Sequence, residues 1–289
     1  MRKIIVEVGS TVTKVDLYDG KLLNKIKDVT ILFKKHYGET GKLLESDVNK
    51  LIELVNELKS DDTDIYVAGT SIFRNLDDSE QRQFLADFKD RTGIDFNIIS
   101  QDEESDLTVL GAVRNVRNRV CVFVGGGGSI ELTIYDNGIV EKANSPIGVI
   151  DVMKEFPDLK DDIANTSIED VKDFIKKRVN LPKEKADILI LAGGAHERFA
   201  RVAPIVFESN TLYKDSAAPI MMNMESRTKE SERYFKEASL DEIRARVDDP
   251  AWWDATRAVC ALILVVAEEI GAKYIVPTDI GMAYGIISE

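Results

Sequence analysis

A short apolar strand, a glycine turn, a second strand and a hairpin open this chain, and the same series returns at residue 120. That recurrence constrains the fold more than any other feature, because internal similarity of this kind implies two units built to one plan. In the first half, β-like runs at 3–8, 14–18 and 21–28 are broken by Gly9-Ser10 and by Asp19-Gly20. An Asp-Gly pair between such runs is a strong hairpin signal. A helix is predicted over 45–58, with Val48, Leu51, Ile52, Val55 and Leu58 on one face. A strand at 65–68, a helix at 78–92, a strand at 96–99 and a helix at 102–116 follow. The second copy starts with a buried strand at 120–124, bends at 125–129, and runs through 131–135 to Asp136-Asn137-Gly138. Helices at 150–156 and 167–178, a strand at 187–191, an apolar helix at 254–270, a strand at 274–277 and a helix at 281–288 come next. The Met-rich stretch 203–250 gives mixed signals and no assignment. The expected architecture is α/β, with lobes at 1–118 and 119–289, an interlobe cleft, and a final helix that returns to the first lobe.

Composition bounds the ligand. With 289 residues, 44% hydrophobic and 31% charged, each lobe has material for a core of its own. The net charge of −13 argues against a broad basic face for nucleic acid, and it repels a long polyanion laid along the surface. A small phosphorylated ligand, held by backbone amides and a few cations, is compatible with it. Cys121 and Cys260 each sit in an apolar run and read as buried thiols of a reducing compartment. His36 and His196 are the only histidines, too few for a histidine-rich metal site. The start, MRKIIVEVGS, reads as a strand and lacks the features of a signal peptide. The longest apolar run, 259–267, is well short of the ~20 residues that cross a bilayer, so a cytoplasmic protein without a membrane partner is expected.

The two glycine turns are the candidate ligand sites. Gly9-Ser10-Thr11 joins two strands, and Gly125 to Gly128 with Ser129 does the same in the second half. Glycines let backbone N–H groups approach a phosphate closely, as in an anion-binding nest, and the hydroxyls of Ser10, Thr11 and Ser129 add donors. A plain turn needs one or two glycines. The run Gly125, Gly126, Gly127, Gly128 exceeds that and points to phosphate.

Seven segments in order then resemble the exopolyphosphatase / guanosine pentaphosphate phosphohydrolase family. They are EVGSTVTK (7–14), GTSIFR (69–74), ISQDEESDLTVLGA (99–112), VGGGGSIE (124–131), SPIGVI (145–150), LAGGA (191–195) and PTDIGMAYG (277–285). The resemblance spans essentially the whole chain. It implies two ribonuclease H-like lobes of the actin-like ATPase and sugar-kinase superfamily, a hydrolase of phosphate chains, and a homodimer by family habit. It also assigns roles. Glu104 falls on the proposed base, and Arg74 on the arginine that clamps phosphate. Glu7 and Glu131 fall on acidic positions suited to Mg²⁺, and Asp279 on the terminal motif. Gly193 and Gly194 fall on the turn that faces a nucleoside in relatives that bind one. A guanidinium grips two phosphate oxygens in a fork, which suits Arg74 to that task; a pairing with Asp77 or Asp78 is its alternative.

The sequence departs from the family pattern at several places. Glu7 stands for the aspartate that opens the first loop, displacing a metal ligand there by ~1.5 Å, about one bond. Val124 stands for the aspartate that opens the second, Thr11 for an asparagine, Lys14 for an arginine, and Ser100-Gln101 for Ser-Gly. Three readings stay open: a Mg²⁺-assisted phosphoanhydride hydrolase acting on short polyphosphate or guanosine penta- or tetraphosphate; a phosphate- or nucleotide-binding sensor without turnover; and an accessory ATPase of the same superfamily.

Overall fold

A computed structural model describes residues 2–202, 206–213, 215–245 and 253–288. The chain divides into two compact units, Met1–Leu107 with Met282–Glu289, and Thr108–Gly281.

The first unit is built on a five-stranded sheet. Its strands are β1 (Arg2–Val8), β2 (Val12–Tyr18), β3 (Leu23–Thr30), β4 (Thr63–Gly69) and β5 (Phe96–Ile98), in the order β3-β2-β1-β4-β5. The first two neighbour pairs are antiparallel; β1–β4 and β4–β5 are parallel. Helices α1 (Phe33–Thr40), α2 (Glu45–Glu57), α3 (Asp78–Thr92) and α4 (Gln101–Val113) join them, and α11 (Met282–Ile286) returns from the far end of the chain. Alternation sorts the side chains. Val6, Val8 and Val15 face a core completed by Leu51 and Val55 of α2 and Phe84 and Phe88 of α3. Ile5 and Ala68 face the other way, onto Leu107 of α4 and Met282, Ala283 and Ile286 of α11. At Gly285 a methyl group would sit 2.0 Å from the Leu107 carbonyl oxygen, so α11 lies on α4 only because that residue has no side chain.

The second unit repeats the plan. Its strands are β6 (Val120–Gly125), β7 (Ile130–Tyr135), β8 (Ile139–Ser145), β9 (Ile188–Ala192), β10 (Glu208–Ser209), β11 (Ile220–Asn223) and β12 (Tyr274–Pro277). The order is β10-β11-β12-β9-β6-β7-β8. The run β8-β7-β6-β9-β12 copies β3-β2-β1-β4-β5 in order and in strand sense, and β11 and β10 extend the edge antiparallel. Helices α5 (Val149–Glu155), α6 (Ile168–Lys176), α7 (His196–Val202), α8 (Met224–Lys236), α9 (Leu240–Arg244) and α10 (Thr256–Ile270) pack around it. The apolar helix expected at 254–270 is α10, buried along nearly its whole length. Cys121 and Cys260 are buried free thiols, and burial raises the pKa of each.

Sequence reading missed α1 and β8. It left 203–250 open, where β10, β11, α8 and α9 now stand; 203–205, 214 and 246–250 fall outside the described residues. The helix expected to reach 116 ends at Val113. Both missed elements carry few buried residues: α1 buries only Phe33, and β8 only Ala143 and Ser145, so neither shows a clear apolar period. Among the described residues no helix is long and apolar enough to cross a membrane.

Candidate active site

The glycine turns of the two units share a hydrogen-bond plan. In the first, the Gly9 N–H donates to the Val12 carbonyl at 3.1 Å, and the Ser10 carbonyl accepts from the Lys34 N–H at 3.0 Å. In the second, the Gly126 N–H donates to the Ser129 carbonyl at 2.9 Å, and the Gly127 carbonyl accepts from the Ile150 N–H at 2.8 Å. Carbonyls in both loops are thus turned to the following chain. The N–H groups of Ser10 and Thr11, and of Gly127 and Gly128, have no backbone partner among the described residues. Amides without a backbone partner are what an anion nest offers.

In the first unit the turn is tied to the proposed catalytic pair. Ser10 Oγ lies 2.6 Å from Ser71 Oγ. Ser71 opens a short 3-10 turn, Ser71–Asn75, with a left-handed φ of 55°, and Arg74 sits on that turn. Arg74 Nη1 donates to Glu104 Oε2 at 2.7 Å and to the Ile99 carbonyl at 3.0 Å. Asp77, the alternative partner, instead caps α3 by accepting from the Ser79 and Glu80 amides. Glu104 lies in the first turn of α4, where Ser100 Oγ accepts from the Glu103 amide. The carboxylate and the guanidinium, 30 residues apart, are therefore one ion pair, and Nε and Nη2 of Arg74 have no partner among the described residues.

The second unit places its own set. Gly193, with a φ of 75°, donates its N–H to the Ile280 carbonyl at 2.7 Å, and a Cβ there would lie 2.9 Å from Val124 Cγ1. A Cβ on Gly194 would come within 3.0 Å of His196 Nε2. Asp279 Oδ1 accepts from the Glu197 and Arg198 amides and so caps α7 from a distant part of the chain. His196 opens that helix. Two residues were not singled out by sequence reading. One is Ser71, the partner of Ser10. The other is Gly148, where a Cβ would lie 2.5 Å from the Gly126 carbonyl oxygen. Gly148 is inside the SPIGVI segment, but nothing in the string names its partner.

Residues 20–243 match the Ppx/GppA phosphatase family over most of the chain. The chain belongs to that family. Among solved structures, the Aquifex aeolicus Ppx/GppA phosphatase, type II variant, superposes with a TM-score of 0.75 at 19% identity, covering 100% of this chain and 98% of that one. An exopolyphosphatase from Cytophaga hutchinsonii gives 0.70 at 15% identity, covering 99% and 96%. No curated protein matches the chain. The expected α/β fold and the expected placement among phosphatases are both borne out.

The departures from the Ppx/GppA pattern take physical form in the strand register. Glu7 of β1 faces Lys14 of β2, and Val124 of β6 faces Glu131 of β7. These are equivalent positions in the two hairpins. Lys14 Nζ donates to Glu7 Oε1 at 3.2 Å, and the Glu7 charge is the leading cause that raises the Lys14 pKa. An ammonium thus already sits against the carboxylate expected to hold metal. Glu131 is 8% exposed and looks across its hairpin at a hydrocarbon side chain. Among the described residues no three His, Cys, Asp or Glu side chains gather to hold a metal, whereas a dedicated site needs several oxygen donors. The donor set does not fit a resident Mg²⁺.

Proposed function

We propose that the chain hydrolyses the terminal phosphoanhydride of short inorganic polyphosphate or of a guanosine penta- or tetraphosphate. The observation that carries this reading is the chain of contacts from Ser10 through Ser71 to Arg74 and Glu104. It puts amides without a backbone partner, a guanidinium with two unused nitrogens and a carboxylate along one stretch of the first unit. Phosphoryl transfer needs little more from a protein than held charge and a positioned water. Arg74 grips the terminal phosphate through Nε and Nη2. Water attacks phosphorus, Glu104 takes its proton, the bridging P–O bond breaks, and the shortened chain leaves as the anion. Mg²⁺ enters as the counter-ion that the substrate carries on its own phosphates.

The loop of the second unit supports a phosphate role independently. Gly125 needs its glycine because a Cβ would strike the Phe123 ring at 2.3 Å. At Gly126 the nearest atom to a Cβ is 3.8 Å away, and at Gly128 nothing lies within 4 Å. The fold has room for a side chain at both. A ligand that must reach the backbone does not.

Val124 opposite Glu131 favours a second reading, a sensor that binds the anion without turnover. Phosphate release from tripolyphosphate, guanosine pentaphosphate and ATP, with binding measured in parallel, separates the two. The hydrolase reading expects Glu104→Ala to lower release by about 10²- to 10⁴-fold, with binding retained. Binding without release by the unaltered protein selects the sensor. A preference for ATP selects the accessory ATPase.

A further inference from the structure

The second unit contains a cavity of about 430 Å³ that borders the second glycine turn, with Gly125, Gly126, Gly127 and Gly194 in its lining and an interior that is mostly apolar. It lies between the sheet and the helices. Phe123 and Ile130 form its floor, and Met153 of α5, Phe199 of α7 and Val259 and Ile263 of α10 line its walls. A void of that size falls in the range of small-molecule sites, and native cores rarely keep gaps much larger than a water molecule.

Three polar side chains, Arg227, His196 and Thr256, interrupt the apolar lining. Arg227 of α8 is 2% exposed, with its guanidinium 5.9 Å from the Phe199 ring. Its Nη2 reaches Cys260 Sγ at 3.3 Å, and its Nε has no partner. No carboxylate pairs with it among the described residues. His196 Nε2 is also enclosed without a partner. Burial, and then the Arg227 charge, push the His196 pKa down to about 4, so the ring is neutral at neutral pH and the pocket holds a single positive charge. A buried guanidinium with no counter-charge is strongly unfavourable, and the unfilled space beside it is where the missing anion fits.

We propose that this cavity binds a medium-chain aliphatic carboxylate, its head on Arg227 and its chain along Phe123, Met153 and Ile263. One charge suits a monoanion rather than a phosphate. Beyond Arg227, His196 and the backbone of the glycine turn the lining is apolar, and Thr256, another polar neighbour, already gives its hydroxyl to the Trp253 carbonyl, so the interior suits a hydrocarbon chain better than a nucleobase.

The test uses the full chain and calorimetric titration with octanoate, octanol and guanosine at neutral pH. Octanoate is expected to bind at least ~10-fold more tightly than octanol, since a charge-assisted hydrogen bond separates them. Arg227→Gln is expected to abolish that difference. Should that variant not fold, Val259→Trp, which fills the cavity from α10 with an apolar group, is expected to remove octanoate binding while the circular dichroism stays native. Equal affinity for octanol, octanoate binding undiminished in Val259→Trp, or binding of guanosine with octanoate inert would each overturn the proposal.

Discussion

Asp16 shows how a single charge is set by its strand neighbours. It lies on β2 opposite Lys25 of β3, with Glu7 and Lys14 close by. Burial, and next the Glu7 charge, outweigh the two lysines and push its pKa up to about 6, from an ordinary 3.8. Between those values the folded chain holds a proton that the unfolded chain has lost, so Asp16 makes stability fall as pH rises through that window. Asp16→Asn removes the titration. It is expected to melt at a higher temperature than the unaltered protein at pH 8, with the gap closing toward pH 4, as followed by circular dichroism. The opposite order at pH 8 would mean that the Lys14 and Lys25 pairings outweigh burial. The ion pair of Arg74 and Glu104 belongs to the same scale. Each residue type was legible in the sequence, but their pairing was not, because side chains 30 residues apart meet only when β4, β5 and α4 are assembled.

The element that depends most on space is the start of α5 against the second glycine turn. Gly148 has a φ of −138°, open to any residue, so its requirement is not conformational. A methyl there would lie 2.5 Å from the Gly126 carbonyl oxygen and 2.6 Å from the Gly127 carbonyl carbon, both backbone atoms that cannot swing away. Gly148→Ala is therefore expected to destabilise the protein by about 1–3 kcal/mol, the usual scale of overpacking. Gly128→Ala, with nothing within 4 Å of the added carbon, is expected to leave the urea midpoint unchanged. A midpoint equally unmoved by Gly148→Ala would show that α5 shifts freely from the loop. The turn itself was readable from four consecutive glycines, because turn chemistry is local. The helix that presses on it comes some 20 residues later, and no local pattern records that contact.

At the scale of the whole molecule, each unit stands on its own buried cluster, and the second is drawn together by Arg257. This fully buried guanidinium donates to the carbonyls of Leu159, Asp161, Asp162, Tyr234 and Ala238, pinning two separate segments against α10. Arg257→Met keeps the apolar stem but strands those acceptors. It is expected to cost at least ~3 kcal/mol in urea denaturation read from tryptophan fluorescence, since Trp253 is buried in the same unit; a loss below ~1 kcal/mol would mean that water replaces the guanidinium. The sequence by itself determined the α/β class, the duplicated hairpin-and-glycine plan and the family. Those follow from alternation, turn residues and motif order, all of them properties of neighbouring positions. Only the tertiary structure decided that Lys14 sits on Glu7 and Val124 opposite Glu131, that Asp279 caps α7, and that an unpaired arginine lines a cavity. The reason is physical: strand register and helix placement are chosen by the sum of many weak packing terms across the chain, and that sum is not written at any one position.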